Sequence, residues 1–401
     1  MRRLTLLLVV VFAVAACTAA QADFIGKHGK GWLESQQGFL ILHVEGTPAE
    51  MGEQHGALLK GHVQANLKSV MAEARRMGQE MGLGDPMPML DMLWTQLAAN
   101  TPPEYLEEMK GVAAGAEIDL KDLQRMVAVT EAGEIMRTCS SFCVWGKATA
   151  DGKMYQSRNL DYTMDGGLQD NFMLLVAKPQ GKLAFASPSY AGLVGVVSGI
   201  NEKGIAVGEI GAGATKAEQN FNGTPMPFLL RRVLETCDTA EKAAALFQNA
   251  KRTAGYNFVF GDPGNKTARA CETSSKYFAV YADNTPAEKA IQGNLALPDC
   301  VFRAEGICDQ KRIKETGHDT VGQCHRYQVM GKGIHDDYGK IDAAKAIAIA
   351  RAAAMTGNLH SVIYCNTDRE MWVASAVGMT RAADTEYKHY RMADLLAAQP
   401  Q

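Results

Sequence analysis

The stretch Thr138-Cys139-Ser140-Ser141-Phe142, followed one strand later by Arg158-Asn159-Leu160-Asp161-Tyr162, decides how this chain is read. Ser141 to Ala148 and Met154 to Tyr162 read as two strands joined by a turn at Asp151-Gly152. A hairpin brings its strand ends together, so Arg158 and Asp161 are expected to approach Cys139. A guanidinium beside a thiol favours the thiolate, and a carboxylate can orient the attacking group or accept its proton. Nucleophile, activator and orienter would then share one rigid unit. Cys143 competes for the nucleophile's role. Positions i and i+4 of a strand share a face but lie ~13 Å apart, too far for a bridge between Cys139 and Cys143. Cys143 therefore reads as packing.

Upstream the pattern is helical. Thr47-Pro48-Ala49-Glu50 is a capping box with proline at the first helical position. It starts a helix predicted to run toward the eighties through Met51, Leu58, Leu59, Val63 and Leu67, until Gly82 to Pro86 breaks it. Further helices are expected at Met89 to Ala98, at Tyr105 to Ala114, and from Asp119-Leu120 toward Thr130. Ahead of Cys139 there is almost no strand signal. Downstream, strand pairs are expected at 172–177 with 183–186, 193–200 with 205–210, 258–261 with 268–272, and 361–364 with 371–375. Helices are expected at 228–237, 240–250, 326–332 and 342–355. Sheets interleaved with helix pairs predict layered packing without the strict alternation of a doubly wound fold. Glu209, at the end of one of these strands, is a candidate substrate-binding carboxylate.

With 401 residues, 47% hydrophobic and 21% charged, the composition is that of a globular protein and excludes a disordered tail, a collagen-like fibre and a coiled coil. A formal net charge of -3 gives no basic surface for nucleic acid. Arg2-Arg3 followed by the apolar run Leu4 to Ala16 has the proportions of a secretory leader and is too short to span a bilayer as a helix. Ala20-Gln21-Ala22 before Asp23 reads as an ordinary cleavage site, giving a signal peptide of residues 1–22. Val14-Ala15-Ala16-Cys17 resembles a bacterial lipobox, giving a leader of residues 1–16 and a lipidated, membrane-attached Cys17. The lipobox is the preferred reading, because a Cys directly after the apolar run has little other use. Either reading places the mature chain outside the cytoplasm, in the cell envelope or beyond it. An exported compartment permits disulfides, and Cys300, Cys308 and Cys324 are close enough in sequence to include one. No CxxC pair and no HExxH occurs, so no metal is expected. His55 and His325 read as structural or as part of a processing region.

Five motifs in order make the sequence similar to the aminopenicillanic acid acyltransferase family of self-processing N-terminal-nucleophile (Ntn) hydrolases, related to bile-salt hydrolases and acid amidases. They are Gly46-Thr47-Pro48-Ala49-Glu50-Met51-Gly52-Glu53-Gln54-His55-Gly56; Glu108-Met109-Lys110-Gly111-Val112-Ala113-Ala114-Gly115-Ala116; Cys139-Ser140-Ser141-Phe142 with Arg158-Asn159-Leu160-Asp161; Gly199 to Gly204; and His360-Ser361-Val362-Ile363-Tyr364. The resemblance implies an α+β fold, a four-layer αββα sandwich. It implies self-cleavage between Thr138 and Cys139, leaving an N-terminal α-chain from residue 23 to 138 and a catalytic β-chain from 139 to 401, which stay associated. The freed α-amine of Cys139, with an ordinary pKa near 8, would serve as general base, so neither a separate histidine nor a cofactor is needed.

By the same resemblance, Asn294, or alternatively Asn257, would donate to the oxyanion. Arg326 would support the site, although Cys324 and His325 before it depart from the residues usual there. The expected activity is hydrolysis of, or acyl transfer from, a small N-acyl or peptide-like amide through an acyl-enzyme on Cys139. The alternatives are an ester- or phospholipid-deacylating relative and a non-catalytic envelope binding lipoprotein.

Overall fold

Two β-sheets face one another at the centre of the structure, a computed structural model that describes residues 22–82, 84–133, 139–212, 218–283, 285–286 and 297–400. The leader with Cys17, the residue Thr138 and the residue Asn294 lie outside the described residues. Strands β1 (Asp23–His28), β2 (Gly31–Gln36) and β3 (Phe39–Gly46) come first. Helices α1 (Pro48–Leu58), α2 (Lys60–Glu80), α3 (Met87–Ala98), α4 (Pro103–Ala116) and α5 (Leu120–Gly133) follow. Next are β4 (Ser141–Val144), β5 (Tyr155–Asp161), β6 (Phe172–Pro179), β7 (Phe185–Tyr190), β8 (Ser198–Asn201) and β9 (Ala206–Gly211), then α6 (Met226–Thr236) and α7 (Ala240–Asn249). Strands β10 (Tyr256–Asp262), β11 (Thr267–Thr273), β12 (Phe278–Tyr281) and β13 (Cys300–Arg303) precede α8 (Gln310–Thr316), α9 (His325–Asp336) and α10 (Ala343–Ala353). Strands β14 (Asn358–Cys365), β15 (Glu370–Ser375) and β16 (Lys388–Arg391) lead into α11 (Met392–Ala397).

The larger sheet has ten strands in the order β1-β2-β3-β6-β7-β8-β9-β10-β11-β12, the smaller six in the order β13-β4-β5-β14-β15-β16. All strand pairs are antiparallel except β3 with β6, which run parallel. Helices α6 and α7 pack on the larger sheet, α9 and α10 on the smaller, and the two sheets pack on each other. This is the expected four-layer αββα sandwich.

Ahead of Cys139 the expectation needs correcting: the front is not purely helical. Three of its strands form one end of the ten-stranded sheet. Phe39-Leu40-Ile41-Leu42 shows no alternation, and Ile41 and Leu42 are both fully buried, because α1 covers one face of a strand whose other face is also covered. The long helix expected after Thr47 is two helices that part at Leu59. The capping box itself forms: Glu50 N–H donates to Thr47 Oγ1 at 3.4 Å, and Thr47 N–H to Glu50 Oε2 at 2.7 Å. Residues 193–197 are not strand. No disulfide forms among the described cysteines. Cys300 donates its thiol to Leu297 O at 3.3 Å, and Cys324 Sγ lies 3.9 Å from Glu305 Oε1, so both pack as thiols in the core. Among the described residues no helix is long and apolar enough to cross a membrane, and no group of three or more His, Cys, Asp or Glu is placed to hold a metal ion.

The first two sequence motifs meet where α1 crosses α4. A Cβ on Gly111 would stand 2.5 Å from Ala49 O, and one on Gly115 2.5 Å from Glu53 O; Gly52 and Gly56 press on Glu108 O and Val112 O in the same way. The helices touch backbone to backbone, which only glycine permits at these four positions. That contact positions Glu108, whose carboxylate accepts from Arg231 on α6 at 2.7 and 2.6 Å. Arg231 also reaches Glu235 at 2.8 Å and Val194 O at 2.6 Å, and Lys182 and Tyr105 close on Glu235 at 2.6 and 2.9 Å. A buried charge network thus clamps the front to the rest of the chain.

His55, at the same crossing, accepts the Gly192 N–H on Nε2 at 2.9 Å, which requires a neutral ring. Burial, with Arg231 adding to it, lowers its pKa to about 4. Between about 6.5, where a histidine in the unfolded chain titrates, and about 4, the unfolded state binds a proton that the folded state does not. Stability is therefore present above this window and lost as pH falls through it, by up to ~3 kcal/mol from this group. Urea midpoints at pH 7.5, 5.5 and 4.5 should show the loss, and His55→Gln, which keeps an acceptor for Gly192, should flatten it. An unchanged slope in that variant would assign the loss to other groups.

Candidate active site

Cys139 opens the smaller sheet. Ser140 and Asn159 exchange backbone hydrogen bonds at 3.4 and 2.9 Å, fixing Cys139 at the end of β4 beside β5, with its side chain fully buried. Arg326, in the first turn of α9, donates from Nη1 to Cys139 O at 3.0 Å. The same nitrogen lies 3.9 Å from Asp161 Oδ2, and Nη2 meets Glu305 at 3.0 Å. Arg326 therefore ties the backbone of Cys139 to the carboxylate of Asp161.

Asp161 is held from its other side by Asn358 Nδ2 at 2.9 Å and Met355 N–H at 3.2 Å, both to Oδ1. Burial pushes its carboxyl above the ordinary range, against the pull of Arg326 and of these hydrogen bonds. Such a raised group, next to the residue that would react, suits proton handling.

Arg158 does not join Asp161. Three residues apart on one strand, they leave opposite faces. Arg158 points between the sheets, where it is fully buried and its Nη2 donates to Glu209 Oε2 on β9 at 2.8 Å. Glu209 is consequently neither an exposed edge group nor free for substrate, because its carboxylate neutralises Arg158. Gly208 beside it leaves room for Ser141, whose Oγ would stand 2.5 Å from an added Cβ. Asn257 is likewise committed: its Nδ2 donates to Ala304 O at 2.7 Å and Gly306 O at 3.1 Å, which spends both amide protons on the 304–306 loop. In this arrangement it has no proton left for an oxyanion. Cys143 is buried, with its thiol pushed well above its ordinary pKa by burial, as a packing residue would be.

Two residues facing the space between the sheets were given no role from the sequence, although His360 opens one of the five motifs. Tyr190, at the end of β7, lies within electrostatic range of Arg158 and of Cys139. Its hydroxyl lies 3.1 Å from His360 Nδ1, and His360 Nε2 lies 2.7 Å from Ser198 Oγ. Burial, and then the charge of Arg158, holds His360 well below its ordinary pKa, so the ring is neutral. The signal was present: His360, Val362 and Tyr364 alternate along β14 opposite Leu160, Arg158 and Gln156, which places them on the face between the sheets.

Tyr190 also borders an apolar cavity of about 80 Å³. Val70 of α2, Met126 and Val129 of α5, and Leu160, Leu193 and Val197 are among its apolar walls. Tyr162, at its edge, is shared with a polar cleft lined by Glu73, Arg76, Glu80, Asp161 and Thr163. There Arg76 is spent on its neighbours, with contacts of 2.8 and 2.6 Å to Glu73 and 2.5 Å to Glu80.

Residues 148–298 match the sequence model of the family described as "Acyl-coenzyme A:6-aminopenicillanic acid acyl-transferase". The match covers 151 of the 401 residues, and over that stretch the chain is similar to this family. The αββα sandwich is in keeping with that likeness. The matched stretch takes in Arg158, Asp161, Glu209, Asn257 and Asn294; Cys139 and Arg326 lie outside it.

Among curated relatives, the chain is similar to "Protein dcd1A" of Dictyostelium discoideum, with 25% identity over 83% of this chain and 78% of that protein. It is similar to the 40 kDa form of acyl-coenzyme A:6-aminopenicillanic-acid-acyltransferase of Emericella nidulans, with 24% identity over 55% of this chain and 61% of that one. It is also similar to acid ceramidase of Homo sapiens, with 27% identity over 47% of this chain and 51% of that one. The chain thus spans less than two thirds of the length of the last two.

Proposed function

We propose that the protein is an exported, self-processing cysteine amidase that takes an apolar acyl group onto Cys139 and releases a polar, non-anionic amine. The observation that carries this reading is the placement of Cys139. Its carbonyl is held by Arg326, Arg326 reaches Asp161, and Asp161 lines a carboxylate-rich cleft that shares Tyr162 with an apolar cavity. In the continuous chain Cys139 is fully buried, as befits a precursor. Cleavage after Thr138 would free its α-amine, which takes the thiol proton as sulfur attacks the amide carbonyl. The same proton passes to the leaving nitrogen as the C–N bond breaks, leaving a thioester. Water then attacks the thioester carbonyl, giving the acid and returning the thiol.

The apolar cavity fits the acyl chain. The cleft, with Glu73, Glu80 and Asp161 against a guanidinium already paired, fits a neutral or cationic amine better than an amino-acid carboxylate. The family match, and similarity to relatives named an acyltransferase and a ceramidase, support acyl chemistry at an amide. Arg2-Arg3 and the apolar run after them support export. The test is to incubate purified, processed protein with amides that share one apolar acyl group and carry cationic, neutral or anionic amines, trapping the adduct by acid quench. A mass increment on Cys139, formed fastest with the cationic and neutral members, is expected. No adduct on Cys139 from any member would end the proposal.

A further inference from the structure

The mostly apolar lining of the cavity beside Tyr190 holds one carboxamide. Asn66, on α2, lines it and is 2% exposed. Its Nδ2 donates to Ala191 O at 2.7 Å. A backbone carbonyl can only accept, so this bond fixes which end of the carboxamide is nitrogen and which is oxygen. Oδ1 is then a buried acceptor with no protein partner. The other polar groups on the wall are engaged: Thr130 donates to Met126 O at 3.0 Å, and Tyr190 is bonded to His360. Ala191 follows Tyr190 directly, so Asn66 is anchored next to the residue that borders this cavity and bonds His360.

A buried acceptor left unpaired penalises whatever covers it with hydrocarbon and rewards a ligand that brings an O–H or N–H. We infer that the acyl group taken by this enzyme carries a hydrogen-bond donor, a hydroxyl or an amide N–H, partway along an otherwise apolar chain, and that Asn66 Oδ1 receives it. The inference rests on the proposal that the cavity holds the acyl group of a Cys139 thioester. It adds a specificity that the apolar walls alone would not give. Asn66 is a binding residue in this account and takes no part in bond making.

The experiment is a panel of amides of one neutral amine, in pairs that differ only by a methyl or a hydroxyl branch at successive carbons of the acyl chain. kcat/KM is read for each pair on the processed wild-type protein. At one position the hydroxyl member should be favoured at least tenfold, and Asn66→Leu should bring that ratio to one or reverse it. The ratio is internal to each preparation, so it does not depend on how much variant folds. The wild-type panel by itself overturns the inference if no position favours the hydroxyl. A preference that survives Asn66→Leu overturns it as well. Adducts on Cys139 without any preference would remove this inference and leave the amidase reading standing. Absence of every adduct would remove both.

Discussion

Cys139→Ala should yield one continuous chain, uncut between residues 138 and 139, with kcat/KM reduced by at least ~10⁴-fold. Two effects coincide in this residue. The Cys139 sulfur lies next to the carbonyl of Thr138 in the covalent chain, so its attack on that carbonyl is intramolecular and benefits from a high effective molarity. In the proposed route an N-to-S shift would give a thioester, water would resolve it, and the new α-amine would stand beside the thiol it must deprotonate. Removing the sulfur therefore removes both the scissors and the nucleophile. Arg326 sharpens the expectation, because its bond to Cys139 O holds the backbone of that residue in place in the continuous chain. Intact mass and N-terminal sequencing decide it: active wild-type protein should contain a chain beginning at Cys139, and the variant should not. Turnover by Cys139→Ala, or by wild-type protein with that bond intact, would require a different nucleophile or a different base.

Glu108→Leu, made in the Cys139→Ala background so that the chain stays whole, should cost ~3–5 kcal/mol of stability. Arg231 is almost fully buried and shares Glu235 with Lys182 and Tyr105. Without Glu108 its charge is left without its bidentate partner in a place that water cannot reach. The companion variant Glu108→Leu with Arg231→Met should recover at least half of the loss, since apolar replacement of a whole buried pair is often tolerated where removal of one member is not. Urea midpoints with unchanged m-values are the measure. A loss below ~1 kcal/mol for the single variant would mean that the network contributes orientation rather than stability.

The pairing of β4 with β5 was legible because Asp151-Gly152 is chemically explicit as a turn, but the expected strand from Ser141 to Ala148 ends at Val144, and Gly146–Ala148 is a 3-10 turn within the connection. The glycines at 52, 56, 111 and 115 were legible as motifs, and their meaning is now structural: they allow two helices to cross at backbone contact. What the sequence concealed has physical reasons too. Strand β3 carries no alternating pattern because both of its faces are covered, so it resembles any apolar run. The association of Arg158 with Glu209, and of His360 with Tyr190, joins residues distant in sequence across the space between two sheets, and spacing says nothing of such partners. The opposite facing of Arg158 and Asp161, by contrast, was implied by the strand period alone. Asn257 looked like a donor and is one, but both of its protons go to a loop that is recognisable only once the chain is folded.

The parallel pairing of β3 with β6 has a consequence for molecularity. It stitches three strands from before residue 138 onto strands from after it. While the chain is whole, this pairing forms within one molecule and costs a single loop closure. Once the chain is cut, the same pairing would have to be found by two molecules at whatever concentration the compartment supplies, and the rear fragment alone would present the bare edge of β6 to others of its kind. Thermal midpoints of processed protein should then depend on its concentration, and those of the uncut variant should not. The chain would have a single opportunity to assemble, before the cut, and the processed enzyme would persist by the slowness of its unfolding rather than by any ability to return.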